Sequence, residues 1–267
     1  MSSIFAIAIS ALPSRSSASF AASGTTKNIF GDFAKSLSSL VQPPLQRDVY
    51  TVAISGSSGL VGNALMDEIK QKGSVCGKEC KIIKLVRGTD SNNDDAAEDK
   101  LYWDPTAPIA LDPKYLQDVD SVIHLAGENV ATSEGILASV GIRPWTDSKK
   151  REIIGSRITG TKALAAAVKA ANIEGGIGRP KTDFLCASGP GIYGFDGIGS
   201  DAKDFDESAD TSATTGFLAD LSRNWEKAAG SVSGSGVNSR VAFMRFGVVL
   251  SKKGIIIFSS ILLLQLC

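Results

Sequence analysis

Between Val49 and Lys70 the chain reads VYTVAISGSSGLVGNALMDEIK, an apolar strand, a turn carrying Gly56, Gly59 and Gly62, and then a helix. This G-x-x-G-x-x-G spacing constrains the fold more than any other feature. In a strand–turn–helix unit the first glycine permits the tight turn and the second lets a pyrophosphate lie against bare backbone. The third lets the helix pack closely on the strand. Amides at the helix start then face the phosphates, where the helix dipole favours negative charge. A glycine triplet alone also marks ordinary turns; here the strand before it and the helix after it supply the context that the motif requires. The segment predicts a dinucleotide site.

The rest of the chain supports a fold built around that unit. Apolar runs at Tyr50–Ser55, Lys81–Arg87, Ser121–Leu125, Phe184–Ser188 and Val241–Val249 read as strands. Helical patterns cover Gly59–Lys72, Ser148–Ala171 and Thr215–Ala229, with Asp147 placed to cap the second and Asn172, Gly175 and Gly176 following its end. Strands alternating with helices imply an α/β fold, a doubly wound parallel sheet with helices on both faces. At 267 residues, 43% hydrophobic and 21% charged, the chain can bury a sizeable core. The 28 basic and 28 acidic side chains cancel, so nothing points to nucleic acid. Cys76 and Cys80 have no second pair to complete a zinc site, and with Cys186 and Cys267 they form no disulfide framework, which fits a reducing compartment. Asp90–Asp99 is a solvated acidic loop without the glycine and closing glutamate of an EF-hand.

Both ends differ from the middle. Residues 1–46 hold a short apolar run, Ile4–Leu12, and then a Ser/Ala-rich stretch with few acids, and they are read as a presequence outside the fold. Ser17-Ala18-Ser19-Phe20 is similar to the cleavage region of two-part plastid presequences; a mitochondrial leader is the alternative. Residues 47–251 form the expected nucleotide-binding domain, and 252–267 an apolar tail, too short at IIIFSSILLLQLC to match a span of about 20 residues. Such a tail leaves peripheral membrane association open.

Six segments together resemble the extended short-chain dehydrogenase/reductase superfamily. They are SGSSGLVG (55–62), HLAGEN (124–129), RPWTDSKKREIIGSRITGT (143–161), CASGPGIYG (186–194), FLADLSRNWEKAA (217–229) and MRFGVVLS (244–251). Within it the resemblance is to the epimerase/dehydratase-like branch that contains the Giant Chloroplast protein and its bacterial and mammalian relatives. It implies a Rossmann fold binding NADP or NAD, followed by a substrate lobe. Nothing after Gly254 matches that lobe, so a truncated product is expected.

Carried over residue by residue, the resemblance places Gly56, Ser58, Gly59, Leu60, Val61 and Gly62 along the pyrophosphate. Arg87 ends the second strand where NAD-preferring relatives usually have an acid, which favours the 2′-phosphate of NADP. Asp104 matches an acid that meets the adenine amine, or serves as a turn residue before Pro105. Leu125, Ala126 and Gly127 let the cofactor ribose approach the backbone, and Ser156 stands where many relatives carry an Asn. His124 reads as a packed strand-end residue rather than a base, and Glu128 and Asn129 as loop or substrate-side residues.

The catalytic Tyr-x-x-x-Lys pair of the superfamily is missing; Leu218 and Ser222 occupy its places. Ser188 fits the carbonyl-polarising Ser, and Tyr193 is a substitute acid. Arg157 could clamp an anionic substrate or a cofactor phosphate, whereas Lys149, Lys150 and Arg151 belong to a solvated helix face. Trp145 and Trp225 are core or interface anchors. Two functions follow. One is an NADP(H)-dependent epimerase or oxidoreductase acting on a small carbonyl or sugar-nucleotide-like substrate. The other is a cofactor-binding regulator of plastid division without turnover. A homodimer fits either.

Overall fold

A computed structural model describes residues 47–88, 97, 99–128, 145–175, 181–194, 205–234, 237, 239–247 and 249. The segment expected to be a presequence, most of the acidic loop, Asn129 and the apolar tail lie outside them. Arg47, the first described residue, grips Asp120 at 2.6 Å and so ties the approach to the first strand to the start of a central one.

Strand β1 (Val49–Ser55) is flanked by β3 (Lys78–Arg87) on one side and β5 (Ser121–His124) on the other, both parallel to it. Next to β5 come β6 (Asp183–Ser188) and then β7 (Val241–Arg245), again parallel. On the far side β4 (Lys100–Trp103) pairs parallel with the upper half of β3, and the two-residue β2 (Ser74–Val75) pairs antiparallel with its start. The main order β4-β3-β1-β5-β6-β7 reverses direction between β1 and β5. In an open α/β sheet that switch point leaves a crevice beyond the strands' carboxyl ends.

Period-two alternation explains why both faces are covered. Val52 and Ile54 of β1, with Ile123 and Leu185, pack on Leu65, Met66 and Ile69 of helix α1 (Leu60–Lys72). Ala53, Val122, Phe184 and Cys186 point the other way. They meet the alanine-rich side of α3 (Gly160–Glu174) together with Trp225 and Ala229 of α4 (Phe217–Gly230). Small residues on α3 let it lie close to the sheet. The doubly wound parallel sheet expected from the sequence is therefore present.

The differences have local causes. The long helix predicted over Ser148–Ala171 is two helices, α2 (Asp147–Ile154) and α3, joined by a π-helical turn at Gly155–Thr159. The helix starts with Thr146 rather than Asp147 as its cap; the Thr146 hydroxyl accepts from the Lys149 amide at 3.2 Å. Strand β7 stops at Arg245 instead of Val249 because its neighbour β6 ends at Ser188, the residue paired with Arg245, and turns into the 3₁₀ segment Pro190–Tyr193. Strand β2 was not anticipated; two residues carry no periodicity to read.

His124 is buried at the heart of the sheet. Its Nδ1 meets Ser55 Oγ at 2.6 Å and its Nε2 meets Thr161 Oγ1 at 3.0 Å, while the Trp225 indole N–H donates to the same threonine oxygen at 2.9 Å. Trp103 and Phe184 close the ring's edge and face. Desolvation holds its pKa down at about 4, against an ordinary 6.5, so the ring is neutral at physiological pH. The unfolded chain binds a proton at this histidine below about 6.5 that the folded chain refuses until about 4. This site's stabilising contribution is therefore complete above the upper value and declines as the pH falls through the window. At its limit it is on the order of 3 kcal/mol. Urea unfolding at pH 7.5 and pH 4.5 should show that loss in the parent, and a smaller loss in His124→Gln; equal losses would exclude His124 as its source.

Candidate functional site

The glycine-rich turn after β1 occupies the switch point. Gly56 has φ +70, and a Cβ there would lie 2.7–2.9 Å from the backbone of Leu125 and Ala126 just beyond β5. A Cβ on Gly62 would overlap the Gly56 carbonyl oxygen and sit 2.8 Å from Ser57 Cα. Only hydrogen fits at either place, which brings β1, the turn and α1 together at backbone distance. The Gly59 amide closes the turn onto the Gly56 oxygen at 3.0 Å. Helix α1 then begins with no side-chain cap and no acidic residue in its first turn. Its leading amides have no carbonyl four residues back to receive them, and the dipole concentrates positive potential there. Gly59, Leu60, Val61 and Gly62, with the exposed Ser58 beside them, thus form an uncapped helix start facing the crevice. A diphosphate is the group this arrangement suits.

Around that loop the other predicted residues fall as follows. Arg87 is exposed at the carboxyl end of β3, one strand away from β1 on the side opposite β5. Asp104 follows β4; its Oδ1 accepts from the Thr106 amide at 2.8 Å and the Thr106 hydroxyl at 2.6 Å, which lowers its pKa. One carboxylate oxygen is thus already engaged in a turn. Leu125 continues the ladder by one bond, its amide donating to the Ser55 carbonyl at 3.1 Å. Ser156, in the π-turn, accepts from the Glu128 amide at 3.0 Å and donates to the Ile153 carbonyl at 3.1 Å. It fastens the segment after β5 to the helix layer. A π-turn re-aims consecutive side chains within a helix, and here it turns Ser156 and Arg157 toward that segment.

Lys149 does not belong to a solvated face. Its side chain is only 12% exposed and its ammonium reaches Glu128 at 3.0 Å and Glu152 at 3.3 Å. The Lys149 hydrogen bond holds the Glu128 pKa down, and Glu128 in turn holds that of Lys149 up.

The second half of the site lies at the ends of β6 and β7. Ser188, the last residue of β6, donates its hydroxyl to Glu226 Oε1 at 2.7 Å. Arg245, the last residue of β7, forks onto the same carboxylate from Nε at 2.8 Å and Nη2 at 2.9 Å. Its remaining nitrogen, Nη1, donates to Tyr193 Oη at 2.8 Å. Four residues from β6, a 3₁₀ turn, α4 and β7 therefore form one chain of hydrogen bonds. Ser188 and Tyr193 are brought together as the sequence proposed, but through Glu226 and Arg245, neither of which the sequence reading had singled out.

The directions matter chemically. A hydroxyl has one hydrogen, and Ser188 has turned it to Glu226. A guanidinium can only donate, so Tyr193 Oη is an acceptor toward Arg245 and keeps its own hydrogen for another partner. Of the two predicted catalytic residues, Tyr193 is the one with a proton to offer. Its ring stacks on Phe205 at 5.5 Å between centroids.

No protein-family model matches the chain. It is 34% identical over 203 residues to an epimerase family protein of Mycobacterium bovis, covering 76% of this chain and 55% of that protein. An epimerase family protein of Staphylococcus aureus is 30% identical over 201 residues, 75% of this chain and 56% of that protein. The chain thus spans about half the length of the curated relatives it matches. Among solved structures it is similar to an NAD-dependent NDP-hexosamine 5,6-dehydratase involved in tunicamycin biosynthesis. There the TM-score is 0.48 at 17% identity, covering 77% of this chain and 58% of that one. The UDP-glucuronic acid 4-epimerase of Bacillus cereus, in complex with NAD, gives a TM-score of 0.42 at 15% identity over 73% of this chain and 56% of that one. Over three-quarters of its length this chain is thus a homologue of those bacterial epimerase family proteins.

Proposed function

We propose that the protein binds a nicotinamide dinucleotide across the carboxyl ends of β1 and β5, NADP(H) in preference to NAD(H). With it the protein would act as an epimerase or oxidoreductase on a small carbonyl or sugar-nucleotide-like substrate. The observation that carries this reading is the pair of glycines at which no Cβ fits, bracketing an uncapped helix start. The first-turn amides of α1 would hold the diphosphate. Arg87, exposed at the end of β3, would meet a ribose 2′-phosphate, which its planar fork suits. Bound there, the cofactor would supply or accept the hydride. Tyr193 would deliver or recover the proton at the substrate oxygen, since its hydrogen is uncommitted while Arg245 holds the phenol oxygen in place.

Fluorescence titration tests this directly. NADPH should bind more tightly than NADH, and Arg87→Ala should weaken NADPH about 10- to 100-fold while leaving NADH unchanged, the scale of one charge-assisted pair with phosphate. Failure of both nucleotides to bind at millimolar concentration would overturn the reading.

A second reading, a cofactor-binding regulator of plastid division without turnover, is favoured by one observation: the Ser188 hydrogen is committed to Glu226 rather than open to a carbonyl. Bound NADPH that survives a panel of aldehydes, ketones and keto sugars would support it; oxidation by any of them would support the enzyme. The plastid destination, proposed from the residue 17–20 junction, is checked by import of a fusion carrying residues 1–46 into isolated plastids.

A further inference from the structure

Arg157 is a guanidinium largely withdrawn from water, and among the described residues no carboxylate pairs with it. Desolvation depresses its pKa, and the Glu128 carboxylate offsets this only from a distance. The contrast with its neighbours is direct. Arg245 is forked onto Glu226, and Lys149 takes the Glu128 carboxylate. Among the described residues Arg157 donates only to the Glu128 main-chain carbonyl, 3.0 Å from Nη1, and over a long 3.5 Å to Ser156 Oγ. Its Nε and Nη2 make no hydrogen bond among the described residues. Its Cζ lies 5.1 Å from the centre of the Trp225 ring, a face that attracts a cation but neutralises no charge.

Withdrawing a charge without a counterion is expensive, and such groups persist where a ligand supplies the missing charge. The surroundings say where that ligand would sit. A Cβ on Gly127 would stand 3.3–3.4 Å from Arg157 Cζ, Nη1 and Nη2, so the guanidinium lies against the backbone that leaves β5. Leu125 and Ala126, the two preceding residues, abut Gly56 of the phosphate loop. Arg157 is thus beside the diphosphate position, displaced along the crevice on the β5 side. The π-turn that carries it and the indole beneath it fix the fork, which suits the two oxygens of a carboxylate or phosphate.

We propose that Arg157 is the receptor for an oxyanion borne by the substrate, so that the substrate class is one carrying a carboxylate or phosphate next to the reacting carbonyl. This rests on the cofactor reading above, because it places the substrate beside the cofactor's diphosphate.

The test follows the Arg157 side-chain Nε–H resonance by NMR in the full chain, assigned by its absence from Arg157→Gln. Inorganic phosphate and pyruvate serve as probes, each titrated with and without saturating NADPH. At least one probe should move the resonance saturably at low millimolar concentration in the NADPH-loaded protein. Arg157→Gln, followed through backbone amide resonances of the crevice, should raise that probe's Kd at least about tenfold while NADPH affinity stays within about threefold; Arg157→Lys should retain part of the anion affinity. A fall in NADPH affinity of about tenfold or more in Arg157→Gln would overturn the proposal and give the guanidinium to the cofactor's own diphosphate. Silence of the resonance up to about 50 mM of both probes would overturn it as well. If the parent takes up no NADPH, the cofactor reading fails, and the titration of the unloaded chain still decides whether Arg157 binds an oxyanion.

Discussion

Gly59→Asp should abolish NADPH binding and leave the fold as stable as the parent. Gly59 sits at the N-cap of α1 with φ −74 and ψ 171, an extended conformation open to any residue, and no side chain caps the helix there. Aspartate is among the preferred residues at that position because its carboxylate accepts from the amides of the first turn. A new Cβ would meet the Gly56 carbonyl oxygen at 3.2 Å, which asks for a shift of a few tenths of an ångström. The capping bond and the dipole together contribute up to about 1 kcal/mol, enough to offset that shift. The same carboxylate takes the amides that a diphosphate needs and sets a negative charge beside it. Losing two charge-assisted hydrogen bonds at about 1.5–3 kcal/mol each corresponds to a weakening of at least about 100-fold. Fluorescence titration reads the affinity and urea unfolding reads the stability. A Gly59→Asp protein that still binds NADPH within tenfold of the parent would remove the phosphate loop from the cofactor site.

That experiment isolates what the sequence made legible. A glycine requirement is local: Gly56 and Gly62 announce a turn and a close approach whatever lies elsewhere in the chain, and the fold puts backbone where their side chains would go. Strands buried on both faces also show as continuous apolar runs, so the parallel sheet was readable. Contacts between distant segments were not. Glu226 and Arg245 each stood alone in their segments. A signal was nevertheless available. Ala219, Ser222, Glu226 and Ala229 recur at helical spacing on the buried side of α4, so a carboxylate there interrupts a buried stripe. Arg245 likewise breaks the apolar run from Val241 to Val249. An acid on the buried side of a helix and a base inside an apolar strand run are candidates for one another. The π-turn left less trace, because Gly155 inside an otherwise helical pattern reads as a tolerated interruption. Without that turn Ser156 and Arg157 read as ordinary helix-surface residues, and Lys149 as a solvated one.

Glu226→Gln should be the most damaging of the conservative changes at the ends of β6 and β7. The Glu226 and Arg245 side chains are 11% and 19% exposed, so the acid is buried and the guanidinium partly so. The value of the pair lies in what its loss leaves behind. The amide keeps the shape and one acceptor, but Arg245 is then a partly buried charge without a counterion, and breaking a fully buried pair, the upper bound for this one, costs about 3–5 kcal/mol. Urea unfolding of the variant should show a loss approaching that range, while NADPH affinity, set at the other end of the crevice, stays near the parent's. The double variant Glu226→Leu with Arg245→Met should recover most of the stability, because replacing both charges with apolar side chains of similar volume leaves no charge unpaired. It should not recover function. Without Arg245, Tyr193 loses the donor that fixes its oxygen, and without Glu226 the Ser188 hydroxyl is released to rotate. If the protein turns over, the double variant separates a network kept for stability from one kept to aim a proton. Restored stability with undiminished NADPH oxidation would show that Arg245 does not aim Tyr193. Restored stability with lost oxidation would place proton delivery on the Tyr193–Arg245 contact.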